Sequence, residues 1–227
     1  MFYESTNSET YLPFAPCFRD DFWGATLDLH KWLALDALNA TQAITSIENG
    51  ACELALTNAA EIQMAGLFFN DMLPFRLNRG PVFEARVRWT TLPAEVTKMT
   101  AVCGLASATA ADIDNIAGSV WFRWDGDTLG LLTCESDDTA ALHETTKVTT
   151  GLSSVINVWQ ILRIDCSVPA AVRFYVNGAR VCGTTTFNIN TVAAQGYQPY
   201  IRLDKAANAG DLGVLEIDYV KVWQARD

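Results

Sequence analysis

Three short acidic stretches, Asp112-Ile113-Asp114-Asn115, Asp125-Gly126-Asp127 and Glu135-Ser136-Asp137-Asp138, are where hard oxygen donors crowd together in the chain. Calcium takes roughly six to eight such oxygens. None of the three completes an EF-hand pattern, so each reads as a solvated turn and no metal site is predicted. The two histidines, His30 and His143, lie outside any G-x-S-x-G setting, and a hydrolase built on a nucleophile and base has no other imidazole to use. Two histidines with dispersed cysteines also give no tetrahedral zinc spacing. Aromatic residues crowd at Trp121-Phe122-Arg123-Trp124, with Trp89 and Trp159 elsewhere. Indole rings on a sheet face beside Asp or Asn can stack on sugar rings. Strand alternation sends Trp121 and Phe122 to opposite faces, so at least one of them belongs to the core. These sets predict no catalytic residue and no cofactor.

The elements that must position such residues are strands. In residues 172–182, Val172, Phe174 and Val176 alternate with Arg173 and Tyr175. Asn177-Gly178 then turns the chain into a second short β-rich run, because both residues tolerate the positive φ of a two-residue hairpin turn. Residues 215–223 are β-branched and aromatic and end the chain inside a sheet. Between these and the N-terminus, strand-like runs recur at 43–47, 51–56, 62–69, 82–89, 100–106, 119–124, 129–134, 159–166 and 198–203. Turn signals separate them, such as Asn49-Gly50, Asn78-Arg79-Gly80-Pro81 and Asn208-Ala209-Gly210-Asp211. Residues 33–40 and 108–117 read as short helical or irregular connections. So many short strands predict an all-β sandwich, with one domain over residues 18–227.

Residues 1–17 read as an extended arm. Pro13 and Pro16 oppose regular ladder pairing, while Phe2, Tyr3, Tyr11 and Phe14 offer apolar contact to a partner surface. The net charge of −10 and the 16 scattered basic residues exclude a phosphate-binding surface, so no nucleic-acid partner is expected. The longest uncharged run, 181–201, is broken by Gly183, Gly196 and Pro199 and supplies no membrane span. No secretory signal is visible at the N-terminus, so folding is expected in the compartment of synthesis. The six cysteines form no C-x-x-C pair and read as small buried thiols. Only 19% of residues are charged, below the roughly 25% of ordinary domains, so partners are expected to cover part of the surface.

The opening pattern of Asp20, Asp21, Phe22, Gly24, Leu27, Asp28, Lys31 and Trp32 resembles that of concanavalin A-like jelly rolls of the laminarinase and laminin-G type. The closing Asp218-Tyr219-Val220-Lys221-Val222-Trp223 is similar to the last strand of the same group. The resemblance implies a two-sheet antiparallel jelly-roll sandwich. Laminarinase-type hydrolases carry E-x-D-x-x-E or E-x-D-x-E on one strand, placing two carboxyls on one face for a retaining mechanism. Glu216-Ile217-Asp218 begins that pattern, but Val220 and Lys221 stand where the second Glu belongs. The pair is therefore expected to be a solvent-facing feature of an amphipathic strand.

Phe-Phe-Asn-Asp at 68–71, Pro-Val-Phe-Glu-Ala-Arg-Val-Arg at 81–88, Gly-Leu-Ala-Ser-Ala at 104–108, 172–178 and 198–206 resemble the jelly-roll proteins that decorate or cement tailed-bacteriophage capsids. This resemblance implies a non-enzymatic structural virion protein on the capsid exterior, assembled in the host cytoplasm. Its implied partners are the major capsid protein lattice and its own copies as a homotrimer. A carbohydrate-binding, lectin-like virion or surface module is the alternative, with a glycan as partner. A β-glucan-type glycoside hydrolase is the third reading.

Overall fold

Residues 82–91 show the rule that builds the molecule. Phe83, Ala85, Val87 and Trp89 are buried in one core while Glu84, Arg86 and Arg88 point the other way, the period-two pattern of a strand with one face on a core. The computed structural model describes residues 17–48, 50–92, 99–125, 130–138, 144–189, 196–207 and 213–225. Its strands are β1 (Cys17–Asp20), β2 (Leu33–Ala37), β3 (Thr41–Thr45), β4 (Ala51–Ala55), β5 (Gln63–Phe68), β6 (Phe75–Arg76), β7 (Val82–Thr91) and β8 (Met99–Ala106). They continue with β9 (Gly118–Asp125), β10 (Leu131–Asp138), β11 (Thr145–Ser153), β12 (Gln160–Asp165), β13 (Arg173–Val176), β14 (Ala179–Val181), β15 (Gly196–Lys205) and β16 (Val214–Trp223).

These form two antiparallel sheets. The first runs β14-β13-β12-β7-β16-β4-β3 with β1 beside β16; the second runs β11-β10-β9-β8-β15-β5-β2 with β6 beside β15. Their inner faces interdigitate: Trp89 meets Trp124 edge-on at 5.7 Å, and Phe122 meets Phe174 edge-on at 5.2 Å. The all-β jelly-roll sandwich predicted from the sequence is the observed fold. No helix among the described residues is long and apolar enough to cross a membrane.

The Asn177-Gly178 hairpin forms as expected, with φ of 50° and 80° at the two turn residues and Val176 paired to Ala179. Two local expectations are corrected. Residues 33–40 are not a helical or irregular connection, because β2 pairs along its length with β5 and ladder hydrogen bonds override the helical preference of Leu and Ala. Residues 135–138 are not a turn but the end of β10, paired to β9 from Glu135↔Trp121 to Asp138↔Gly118.

Residues 1–16 of the arm, with Phe2, Tyr3, Tyr11 and Phe14, lie outside the described residues, as does His143. Cys17, the last residue assigned to the arm, opens β1 opposite Trp223.

The opening motif is a structural knot. Asp20, only 7% exposed, accepts hydrogen bonds from Trp32 Nε1 at 2.8 Å and from the Phe22 amide at 3.0 Å, while Lys31 approaches it at 3.6 Å. Phe22 stacks on Trp32 at 5.9 Å, and the Asp28 carbonyl accepts from the Lys31 and Trp32 amides. Asp20→Ala leaves a buried indole N–H and an amide without an acceptor, for an expected cost of about 2–3 kcal/mol. Urea unfolding midpoints check this, and Asp20→Asn, which keeps one acceptor, should fall between the two.

Candidate functional site

The outer face of the second sheet is where polar and aromatic side chains meet. β8, β9, β10 and β15 send out Val102 and Ala106; Ser119, Trp121 and Arg123; Thr133, Glu135 and Asp137; and Gln198, Tyr200 and Arg202. Most of these are buried, because residues 107–117 cross over this face. Ile113 and Ile116 pack there with Phe68, Val102, Ala106, Trp121 and Tyr200 in a second, smaller core. The 3-10 turn Ile113–Asn115 is capped by Asp112, whose side chain accepts from the Asp114 amide at 3.1 Å.

Two buried guanidinium groups clip the crossing segment to the sheet. Arg202 donates to the carbonyls of Ala110 and Ala111, the latter at 2.6 Å, and is itself held by Asp204 at 2.6 Å and the Tyr200 hydroxyl at 3.0 Å. Arg123, 4% exposed, pairs with Asp114 from the crossing segment, with Asp125 at 3.0 Å and with Glu135 at 3.2 Å. The three acidic stretches that look separate in the sequence thus each send a carboxylate to one cation. Lys147 adds a second positive charge at 3.1 Å from Asp125.

A cavity of about 270 Å³ opens beside this cluster. β9 supplies Ser119, Trp121 and Arg123, β10 supplies Glu135 and Asp137, and the crossing segment supplies Ile113, Asp114 and Ile116. Glu144, Thr146 and Lys147 make its wetter side. Glu135 and Asp137 are two residues apart on one strand and so share a face. Glu135 accepts from Trp121 Nε1 at 2.9 Å and from Arg123.

Burial pushes the Glu135 carboxyl above the usual carboxylate range and outweighs the opposing Trp121 hydrogen bond and Arg123 charge. The hydrogen bond from Arg123 holds Asp114 below that range, against a smaller effect of burial. For Arg123 burial works toward deprotonation, but the hydrogen bond to Asp114 and the charges of Glu135 and Asp125 outweigh it and keep the cation. Among the described residues, no group of three or more His, Cys, Asp or Glu side chains is placed to hold a metal ion.

The other candidates lie elsewhere. Glu216 and Asp218 sit on the outer face of the first sheet, where Arg88 holds Glu216 at 2.5 Å and Arg86 holds Asp218 at 2.8 Å. Both arginines stack on Trp159, at 4.5 and 4.7 Å. Glu216 is only 5% exposed, which corrects the expectation of a solvent-facing pair. The register shift between Ile217 and Tyr219 marks a bulge beside this ion-pair ladder. His30 is exposed in the opening loop. Phe122 is the core aromatic of its pair, and Trp121 stacks on Tyr200 at 6.3 Å on the outer face. Sequence reasoning missed Glu135 and Asp137 as a pair, although their E-x-D spacing was readable once the stretch is a strand.

No family model and no curated protein sequence matches this chain. Solved structures do. A glycoside hydrolase family 16 endo-glucanase from Bacteroides ovatus superimposes with a TM-score of 0.65 at 12% identity, over 90% of this chain and 99% of that one. A β-glucanase from Bacillus licheniformis gives 0.61 at 13%, over 92% and 98%. The carbohydrate recognition domain of Emp47p gives 0.61 at 11%, over 92% and 95%.

At these identities the likeness establishes the concanavalin A-like jelly roll. It also corrects the expectation of a non-enzymatic capsid-decoration protein. The shape read as a phage decoration fold is shared with enzymes acting on glucans and with a sugar-recognition domain, and none of these neighbours is a virion protein. The strand text behind the phage resemblance, 81–88, 172–178 and 198–206, is ladder and core sequence of this shared fold.

Proposed function

We propose that the chain binds a saccharide in the cavity between β9, β10, β11 and the crossing segment 107–117. The observation that carries this reading is one small cavity lined by fixed carboxylates, a cationic pair and an apolar wall. Its 270 Å³ lies just under the roughly 300–1,000 Å³ of drug-sized ligand sites, which suits a single sugar ring. Sugar hydroxyls donate to Asp137, Glu144 and Asp114, and Lys147 and Thr146 donate back. Trp121 does not serve as a stacking platform; its N–H orients Glu135. The sugar-directed neighbours support the ligand class. Calorimetric titration with mixed-linkage and β-1,3-gluco-oligosaccharides and with mucin-type O-glycans tests it. One class should bind, and Asp137→Ala should weaken it about tenfold, the loss of one hydrogen bond to a charged group. Failure of every class, or no change in the variant, contradicts the proposal.

A second reading, glycosidic bond hydrolysis at the same cavity, rests on the unlike environments of Glu135 and Asp137. Glu135, dry and raised, suits the proton donor to the leaving oxygen. Asp137, nearer the wet side, suits the base or nucleophile, and the carboxyl separation would decide between inversion and retention. The acid must be protonated, so turnover should fall as pH rises through the raised Glu135 value. Glu135→Gln should remove release of reducing sugar while leaving binding within about threefold.

A further inference from the structure

Cys134 lies in the middle of β10 with its side chain fully buried in the main core, directly opposite Val148 of β11. Cys182 follows β14, the edge strand of the other sheet, and is part-buried at a φ of 52°. Its Sγ lies 3.4 Å from the carbonyl oxygen of Thr149 and 3.6 Å from that of Val148, the residue paired with Cys134. Cys182 therefore lies against the segment of β11 that pairs with Cys134, and both side chains pack into the main core. Cys52, Cys103 and Cys166 are buried, and burial raises all three thiols, Cys52 to about 12.

From this juxtaposition we infer that Cys134 and Cys182 form an oxidisable pair that closes a disulfide between the two sheets, with Cys182 as the attacking thiol. Cys182 has the access to an oxidant. The neighbouring Cys134 thiol lowers the Cys182 pKa more than partial burial raises it, whereas burial above all raises that of Cys134. With hydrogen peroxide as oxidant, the Cys182 thiolate attacks one peroxide oxygen, the O–O bond breaks and hydroxide leaves, giving a sulfenic acid. The Cys134 sulfur then attacks that sulfur, the S–O bond breaks, and the Cys134 proton leaves with the oxygen as water. Two thiols are oxidised and one peroxide is reduced to two waters. The bond ties β10 to the end of β14. β10 carries Glu135 and Asp137 on its opposite face, and its pairing with β11 shifts register between Cys134 and Ser136, so oxidation fixes the irregular edge of the cavity.

The test treats the native full chain with a few equivalents of hydrogen peroxide, then denatures it and reads intact mass, free thiols and cross-linked peptides. The expected product is about 2 Da lighter, has lost two of its thiols, and yields one peptide pair joining Cys134 to Cys182. Cys103→Ser should give the same cross-link. Cys182→Ser should give none, and its Cys134 should stay reduced. Peroxide-treated wild type that gains only oxygen mass, or that joins any other cysteine pair, overturns the inference.

Discussion

Gly104→Ala should destabilise the protein by about 3 kcal/mol, the upper part of the usual range for overpacking, and abolish saccharide binding. Gly104 lies in β8 opposite Trp121 of β9. A Cβ there would stand 2.3 Å from the Val120 carbonyl oxygen, 2.6 Å from Trp121 Cα and 2.8 Å from Trp121 Cβ. These are backbone atoms and the root of a side chain, so no rotamer change relieves them. β8 and β9 must part, and overpacking that forces backbone shifts costs about 1–3 kcal/mol or more. The cost is steric, because Gly104 does not occupy the left-handed region. Moving Trp121 also releases Glu135 and opens the small core under the crossing segment. Urea unfolding and calorimetry check the two effects, and a variant of wild-type stability that still binds would contradict the packing described for β8 and β9.

Arg123→Met should cost about 3–5 kcal/mol at neutral pH, the range for removing one partner of a buried charge cluster. Asp114, Asp125 and Glu135 would then share a site without the guanidinium that joins them. Asp114 has 59% of its side chain exposed, so its own ion pair contributes little of this total. The pH dependence has a definite sign. In the wild type the Asp114 contribution is present above its unfolded value and is lost as pH falls through its lowered folded value. Glu135 has a raised folded value, so it favours the folded state below its unfolded value and loses that contribution as pH rises through the folded one. In the variant, protonation relieves the repulsion among the carboxylates, so its deficit should shrink as pH falls through the carboxylate range. Amide exchange should also quicken at Asp114, Asn115 and Ile116, where one of the two clips on the crossing segment is gone.

Much of the fold was legible because local chemistry and tertiary structure agree. Asn177-Gly178 has one good use between two alternating runs, and the structure puts it to that use. β2 was not legible, since Leu33-Ala-Leu-Asp-Ala looks helical and only its pairing with β5 makes it a strand. β11 was hidden because Thr145–Ser153 is an exposed edge with little apolar alternation. The opening motif was visible as a pattern, but its work, Asp20 holding the Trp32 indole, appears only in three dimensions.

The site was least legible. Residues 112–115, 125 and 135–137 are distant in sequence, and the β8-β9-β10 meander with the crossing segment brings them to Arg123. Two E-x-D pairs look alike in the text. Glu216 and Asp218 face arginines on the outer face of one sheet, whereas Glu135 and Asp137 line a cavity on the other.

The most direct measurement is an amide and indole N–H shift titration of the isotope-labelled protein with the oligosaccharide that calorimetry selects. Saccharide binding at the cavity predicts saturable shifts at the Trp121 indole and at the amides of Ser119, Arg123, Asp137 and Lys147, while the Trp159 indole on the opposite sheet stays still. Shifts centred on Trp159, or none at saturating sugar, would contradict it.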